Sequence, residues 1–391
     1  MIPVLIAQFL SALADNVLLF VILGFIKQQA VPEWVTPILQ QSFLIAYIVL
    51  APFVGAIADG FAKGRVMLVA NTLKFLSVMF LMVGGNPFVA YALVGVGACI
   101  YSPAKYGILK EITGEEKLVK ANAMIEGSTI AAILIGVVLG GKMADFAVNS
   151  DSFTLVIGVI SVVYLLASVS NLFIPKLPAL HKQAIRPRRL LIQFISDLKV
   201  LWGDFSARLA LLGTSLFFSV GATMRFLLIA WVPQALGITD NATPAEMNAV
   251  VAVGIVIGSG LASRIPLKHA YRVLSAGAGM GIGVMILSPM TNIYLANVVL
   301  VLIGICGGLF LVPLNAMLQE RGHSLIGGGH AVAIQNFVEN ITMLLILSVY
   351  IGLAKTGLSA VVTASLFGGL IVILMLGLRF YGQYGLKRMK H

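Results

Sequence analysis

The chain has 391 residues, 59% of them hydrophobic and 10% charged, with a net charge of +11. Soluble domains carry about a quarter charged residues, so this composition, with a mean hydropathy of +1.01, excludes a soluble globular protein and predicts a polytopic membrane protein. The positive charge sits in short loops, and no aromatic-interleaved basic patch points to nucleic acid.

Apolar runs of about 20 residues are long enough to cross a hydrocarbon core. They predict spans near 2–26, 37–58, 66–85, 88–110, 121–144 and 152–174, then near 209–236, 246–263, 272–290, 292–318, 330–353 and 358–380. The spans at 272–290 and 292–318 nearly touch, which keeps an eleven-span reading open. The fold class expected is an all-α membrane protein, with twelve transmembrane helices in two six-helix halves. The halves are 1–174 and 208–391, joined by a linker over 175–207. Ala12-Leu13-Ala14 resembles a signal cleavage site, but no basic region precedes it and the apolar run resumes after Asp15-Asn16, so a cleaved signal is not expected. In the linker, Leu190, Leu191, Phe194, Ile195, Leu198 and Leu201 recur at helical spacing, predicting an amphipathic helix at the membrane interface. Trp34, Trp202 and Trp231 fall at predicted span ends, where interfacial aromatics gather. Cys99 and Cys306 lie within spans and read as small packing residues.

Orientation follows from the basic residues. Twenty Lys and Arg, from Lys63 and Arg65 through the linker to Lys390, fall in alternate loops, while the opposite loops hold only Lys27, Lys142 and Lys355. The positive-inside rule then places both termini and the linker in the cytoplasm.

Asp15 and Arg225 stand deep inside apolar runs, 210 residues apart, and the same offset superposes Pro103 on Pro313, Ala121 on Ala331 and Ala123 on Ala333. An ionisable group in hydrocarbon is expensive and marks a functional site by default. Asp15 lies about 20 Å along its helix from residue 2 at 1.5 Å per residue, near the midplane, with Asn16 beside it. The alternative is an interior salt bridge that holds the halves together. The run YSPAKYGILKE places Lys105 and Tyr106 just after Pro103, which is expected to break the helix; Lys105 either binds an anion or snorkels to the interface. Asn122 with Glu126, Gln335 with Glu339 and Asn336 with Asn340 each stand four apart, giving two polar helix faces read as an inner gate. Lys74 reads as structural.

Enzyme-like patterns fail. Gly136-Val-Val-Leu-Gly-Gly141-Lys142 approaches a phosphate loop, but Met143 replaces the magnesium-binding hydroxyl and no strand precedes it. Gly277, Gly279, Gly281 and Gly283 read as close helix packing. The five histidines lack ligand spacing. No catalysis, metal or cofactor is expected.

The loop between the second and third spans carries Gly55-Ala-Ile-Ala-Asp59-Gly-Phe-Ala-Lys63-Gly64-Arg65, which resembles the G-x-x-x-D-(R/K)-x-G-(R/K) signature of the major facilitator superfamily. Gly260, Arg264 and Lys268 echo it weakly in the second half. The resemblance implies that Gly55, Asp59, Lys63 and Arg65 tie helix ends in one conformational state, and that spans 1 and 7 line the substrate cavity. The blocks AQFLSALADNVLLF, LVGVGACIYSPAKYGIL, RFLLIAWVPQALGITDNATP and LVPLNAMLQERG further resemble the bacterial lysophospholipid transporters of that superfamily. This implies a monomeric inner-membrane flippase. It would move lysophosphatidylethanolamine and lysophosphatidylglycerol from the outer to the inner leaflet, where a separate acyltransferase restores the second chain. Arg225 would then clamp phosphate, Asp15 and Asn16 would receive the ammonium, and Lys105 would take the phosphate later. A proton-coupled exporter of amphipathic drugs, with Asp15 titrating, and a non-transporting membrane subunit are the alternatives.

Overall fold

The apolar runs become helices because the hydrocarbon interior leaves backbone groups no partner except one another. A computed structural model describes residues 1–29, 31–113, 118–175, 186–262, 264 and 273–388. Its helices, in chain order, are α1 (Ile2–Gln28), α2 (Thr36–Gly60), α3 (Lys63–Met82), α4 (Pro87–Thr113), α5 (Leu118–Asn149), α6 (Phe153–Leu172), α7 (Pro187–Gly203), α8 (Phe205–Leu236), α9 (Ala242–Ala262), α10 (Leu274–Leu287), α11 (Ile293–Ile326), α12 (Gly328–Lys355) and α13 (Ala360–Arg388), with a 3-10 turn at Glu33–Val35. Eleven are long and apolar enough to cross a membrane. The remaining apolar helix, α10, has 14 described residues, about 21 Å at 1.5 Å per residue, and the eight residues at 265–272 before it lie outside the described residues. α7 is the amphipathic helix of the linker: Phe194, Asp197 and Leu201 are buried, whereas Leu191, Ile192, Ile195 and Trp202 are exposed.

The chain forms two compact units, Met1–Pro32 with Ile38–Phe194, and Glu33–Pro37 with Ile195–His391. The division falls inside α7, and Glu33–Pro37 between α1 and α2 belongs to the second unit.

Small residues set the packing in each unit. In the first, a Cβ added at Gly136 would lie 2.9 Å from the Leu13 carbonyl oxygen, and one at Gly140 would lie 3.0 Å from Val17 Cα. The stretch that resembles a phosphate loop is therefore the seam by which α5 meets α1. In the second unit the seam is tighter and reciprocal. A Cβ at Gly254 or Gly258 would come within 2.3 or 2.2 Å of the Val301 and Ile305 carbonyl oxygens, and one at Gly304 or Gly308 within 2.2 or 2.3 Å of those of Val251 and Ile255. Two small-xxx-small patterns thus bring α9 and α11 into backbone contact. Gly281 meets the Gly368 carbonyl at 2.7 Å in the same sense, which makes the α10 glycines packing positions, as expected.

Helix ends follow their capping chemistry. Asp204 caps α8 by accepting from the Ala207 N–H at 2.8 Å, and Gly237 ends it in the left-handed region at φ 69°. Asn292 caps α11 in the same way. Pro103 and Pro313 do not break their helices: α4 and α11 run through them. In a membrane the carbonyl that a proline orphans can be satisfied by neighbouring helices. Trp231 is wholly buried and donates to the Ser288 carbonyl at 2.9 Å. It is an interior anchor between α8 and the end of α10, not the interfacial residue its position suggests.

Candidate functional site

Asp15 falls halfway along α1, with Ser11 one turn before it on the same face. Asn71 and Lys74 share a face of α3 by the same geometry. These two faces and Tyr164 of α6 form a polar cluster inside the first unit. Lys74 Nζ donates to Asp15 Oδ1 at 2.9 Å, to Oδ2 at 2.7 Å and to Ser11 Oγ at 3.0 Å, which uses its three donors. Tyr164 O–H donates to Asp15 Oδ1 at 2.7 Å, and Ser11 O–H to Asn71 Oδ1 at 2.8 Å. The Tyr101 and Tyr164 rings lie 5.7 and 6.0 Å from the ammonium, within cation–π range. The Lys74 side chain is 2% exposed and that of Asp15 is 21% exposed. A carboxylate has about four lone-pair sites; these bonds occupy three, and the fourth, on Oδ2, is left on a half-buried side chain.

This arrangement gives Lys74, read as structural, a partner that the sequence did not name. Arg225 is the embedded base that the 210-residue offset matches to Asp15, but the counter-ion of Asp15 is Lys74, within its own unit. The i, i+3 spacing of Asn71 and Lys74 and the i, i+4 spacing of Ser11 and Asp15 are the trace this cluster leaves in the sequence. Asn16 does not extend the cluster: its amide donates back to the Ala12 carbonyl at 2.9 Å, and its Cβ packs where Gly136 leaves room. Lys105 on α4 is buried at 6% exposure rather than snorkelled, with its ammonium 4.2 Å from the ring centroid of exposed Tyr106.

The signature residues are not a loop. Gly55, Asp59 and Gly60 end α2, Lys63 and Arg65 open α3, and only Phe61 and Ala62 intervene. Lys63 is buried and pairs with Glu111 of α4 at 2.5 Å, while Arg65 is exposed. The side chains of Asp59, Asn122 and Glu126 and the whole of Lys268 lie outside the described residues. Nothing in the spacing of Glu111 singled it out.

In the second unit Arg225 is half-buried on α8 beside the buried Thr223, Met224 and Phe226. The polar face of α12 is real and points inward. Gln335 Nε2 donates to Glu339 Oε1 at 2.8 Å and to Asn315 Oδ1 of α11 at 3.1 Å. The buried Thr214 hydroxyl of α8 donates to the Leu211 carbonyl at 3.3 Å. Asn340 donates to the backbone carbonyl of Asn336 at 2.6 Å, not to its side chain.

Three further ties hold the ends of these helices. Arg321 pairs with Asp204, His330 Nδ1 lies 2.5 Å from Asp197 Oδ2, and Arg208 Nε donates to Tyr381 O–H at 2.5 Å. Burial alone would raise the Asp204 carboxyl, but the Arg321 guanidinium and the Ala207 N–H outweigh it and hold it below its ordinary range. Sequence reasoning missed all three, because each joins residues more than a hundred positions apart.

The profile of the Major Facilitator Superfamily matches residues 4–346. The lysophospholipid transporter LplT of Yersinia enterocolitica is 53% identical over 363 residues, covering 92% of this chain and 89% of that protein. LplT of Yersinia pestis is 54% identical over 359 residues, covering 91% and 87%. Among solved structures, the nucleoside transporter NupG superposes with a TM-score of 0.71 at 12% identity, over 97% of this chain and 98% of that one. A POT family transporter in complex with 5-aminolevulinic acid superposes with a TM-score of 0.78 at 12% identity, over 98% and 96%.

Proposed function

We propose, from the premise that this chain belongs to the major facilitator superfamily, that it carries lysophospholipids such as lysophosphatidylethanolamine and lysophosphatidylglycerol from the outer to the inner leaflet of a bacterial inner membrane. The observation that carries this reading is 53% identity across 92% of the chain to a relative named for lysophospholipid transport. The embedded charges suit the cargo. A lysophospholipid head is anionic at phosphate and, with ethanolamine, cationic at its far end. Its single acyl chain can ride on the leucine, phenylalanine and methionine side chains of the spans.

In this proposal Arg225 binds the phosphate through its guanidinium fork. Asp15, held by the Lys74 ammonium, keeps one open lone-pair site that can accept from the ammonium of the head group. Lys105 over Tyr106 is a second anion site. Both termini lie in the cytoplasm, the protein acts as a monomer, and a separate acyltransferase re-acylates the product; the basic bias of alternate loops supports the orientation.

The test is a leaflet-resolved flipping assay with labelled lysophospholipids in proteoliposomes of the purified protein. Lysophosphatidylethanolamine should flip faster than in protein-free vesicles, and diacyl lipid should be nearly excluded. Equal rates with and without protein would sink the reading.

A further inference from the structure

The linker helix α7 is held firmly on one side and left open on the other. Asp204, extended in backbone, separates it from the membrane-spanning α8, so the two helices do not share one axis. The corner is tied twice: Arg208 donates to the Trp202 carbonyl at 3.0 Å, and Arg321 pairs with Asp204. Phe194, Asp197 and Leu201, at i, i+3 and i+7, form the buried side, and His330 holds Asp197. These contacts set the roll of α7 about its own axis, and with it the side left open.

That open side is cationic and apolar together. Arg188, Ile192, Ile195 and Lys199 follow one another at intervals of four, three and four, which places them in one stripe. All four are exposed. Leu191 and Trp202 are exposed beside the stripe, and Arg186 and Arg189 add two exposed cations at the N-terminal end. Among the described residues no carboxylate pairs with Arg186, Arg188, Arg189 or Lys199. Arg188 and Lys199 stand eleven residues apart, about 16 Å along the axis, and bracket the two isoleucines. Water does not solvate the apolar members well, and hydrocarbon does not solvate the cations. The head-group layer suits both, with the Trp202 indole at the depth such rings prefer. An anionic head group adds the net negative charge that a zwitterionic one lacks. We propose that this face of α7 is a binding site for anionic diacyl phospholipid. Lipid phosphates lie against Arg188 and Lys199, and acyl chains lie against Ile192, Ile195 and Trp202. Such a lipid is a ligand and not cargo, since it meets the outside of the linker helix. Neither cargo nor orientation enters, because α7 meets the lipid of the leaflet that holds it.

Trp202 itself reports the contact. The full-length protein is reconstituted at low ionic strength in phosphatidylcholine vesicles that contain a minor fraction of brominated lipid. The brominated lipid is either phosphatidylglycerol or phosphatidylcholine, with bromine near the head-group end of its chains. Quenching that disappears in Trp202→Phe belongs to Trp202, since Trp34 and Trp231 are common to both proteins. Brominated phosphatidylglycerol should half-quench Trp202 at a lower mole fraction than brominated phosphatidylcholine, and added salt should narrow the gap. Arg188→Gln with Lys199→Gln should raise the half-quenching fraction of phosphatidylglycerol about fivefold for each charge removed, equivalent to about 1 kcal/mol apiece. Arg188→Lys should keep the preference. Should the double variant not reconstitute, Arg188→Gln alone should give a single fivefold step. Equal quenching by the two lipids in the wild type overturns the proposal, and is the result expected if this face packs on a second copy or takes an acidic protein. A phosphatidylglycerol preference unchanged in the charge variants overturns it as well.

Discussion

The two units treat an embedded acid in opposite ways. In the first, Asp15 meets a fully bonded ammonium and a tyrosine hydroxyl; in the second, Glu339 meets the Gln335 amide. The positions 210 residues beyond Ser11, Asn71, Lys74 and Tyr164 are Gly221, Gly281, Val284 and Leu374, so the first polar cluster has no repeat. Gly97, which packs on Lys74, does recur as Gly307, but Gly254 and Gly258 of the tight seam match Leu44 and Ile48. The halves differ in the glycine seams that pack their helices and in the long polar side chains that set their chemistry. A charge inside a membrane persists only where something compensates it, so each unit keeps its own polar set.

The sharpest way to break this contrast is to remove one base. Lys74→Met strands the Asp15 carboxylate and should destabilise the detergent-solubilised protein by about 3–5 kcal/mol, the usual cost of orphaning a buried charge. The double variant Asp15→Asn with Lys74→Met should recover most of that loss. Glu339→Gln should cost about 1 kcal/mol or less, since neutral partners accept an amide. Thermal unfolding of the variants side by side decides it; equal losses would end the distinction between a paired and an unpaired acid.

The seams sharpen the comparison further. Gly258→Ala places a Cβ 2.2 Å from the Ile305 carbonyl oxygen, so α9 and α11 must part, at about 1–3 kcal/mol. Gly136→Ala meets the Leu13 carbonyl at 2.9 Å and should cost less in the same unfolding measurement. Arg225→Lys should then lower flipping about tenfold, or about 1.4 kcal/mol, because a point charge does not reproduce the bidentate fork. Folded yield should be unchanged; normal flipping would remove Arg225 from the phosphate.

The smallest effect concerns Asp204. Its folded carboxyl lies below the ordinary range, so its contribution is complete above the unfolded value of about 3.9 and is lost as pH falls through the lower folded value. Because Arg321 is 44% exposed, solvent screening limits that contribution to about 1 kcal/mol at most. Asp204→Asn keeps the helix cap and should flatten this acid limb of a stability–pH curve with little change at neutral pH.

The helices, their order and the Gln335–Glu339 pair were legible in the chain itself. Apolar run length is a local property, and i, i+4 neighbours meet on any helix. Pro103 misled because the rule that proline stops a helix assumes water-exposed surroundings, and the apparent loop at Gly55–Arg65 proved to be two helix ends. The partner of Asp15 was decided by tertiary structure. Lys74, Tyr164 and Arg225 are all within the reach of sequence speculation, and only the packing of α3 and α6 around α1 selects the first two. The same holds for Lys63 with Glu111 and Asp204 with Arg321. Composition and periodicity act along one helix, whereas a counter-ion is chosen by which helices close together. That choice is made by small residues and side-chain volumes distributed across the whole chain.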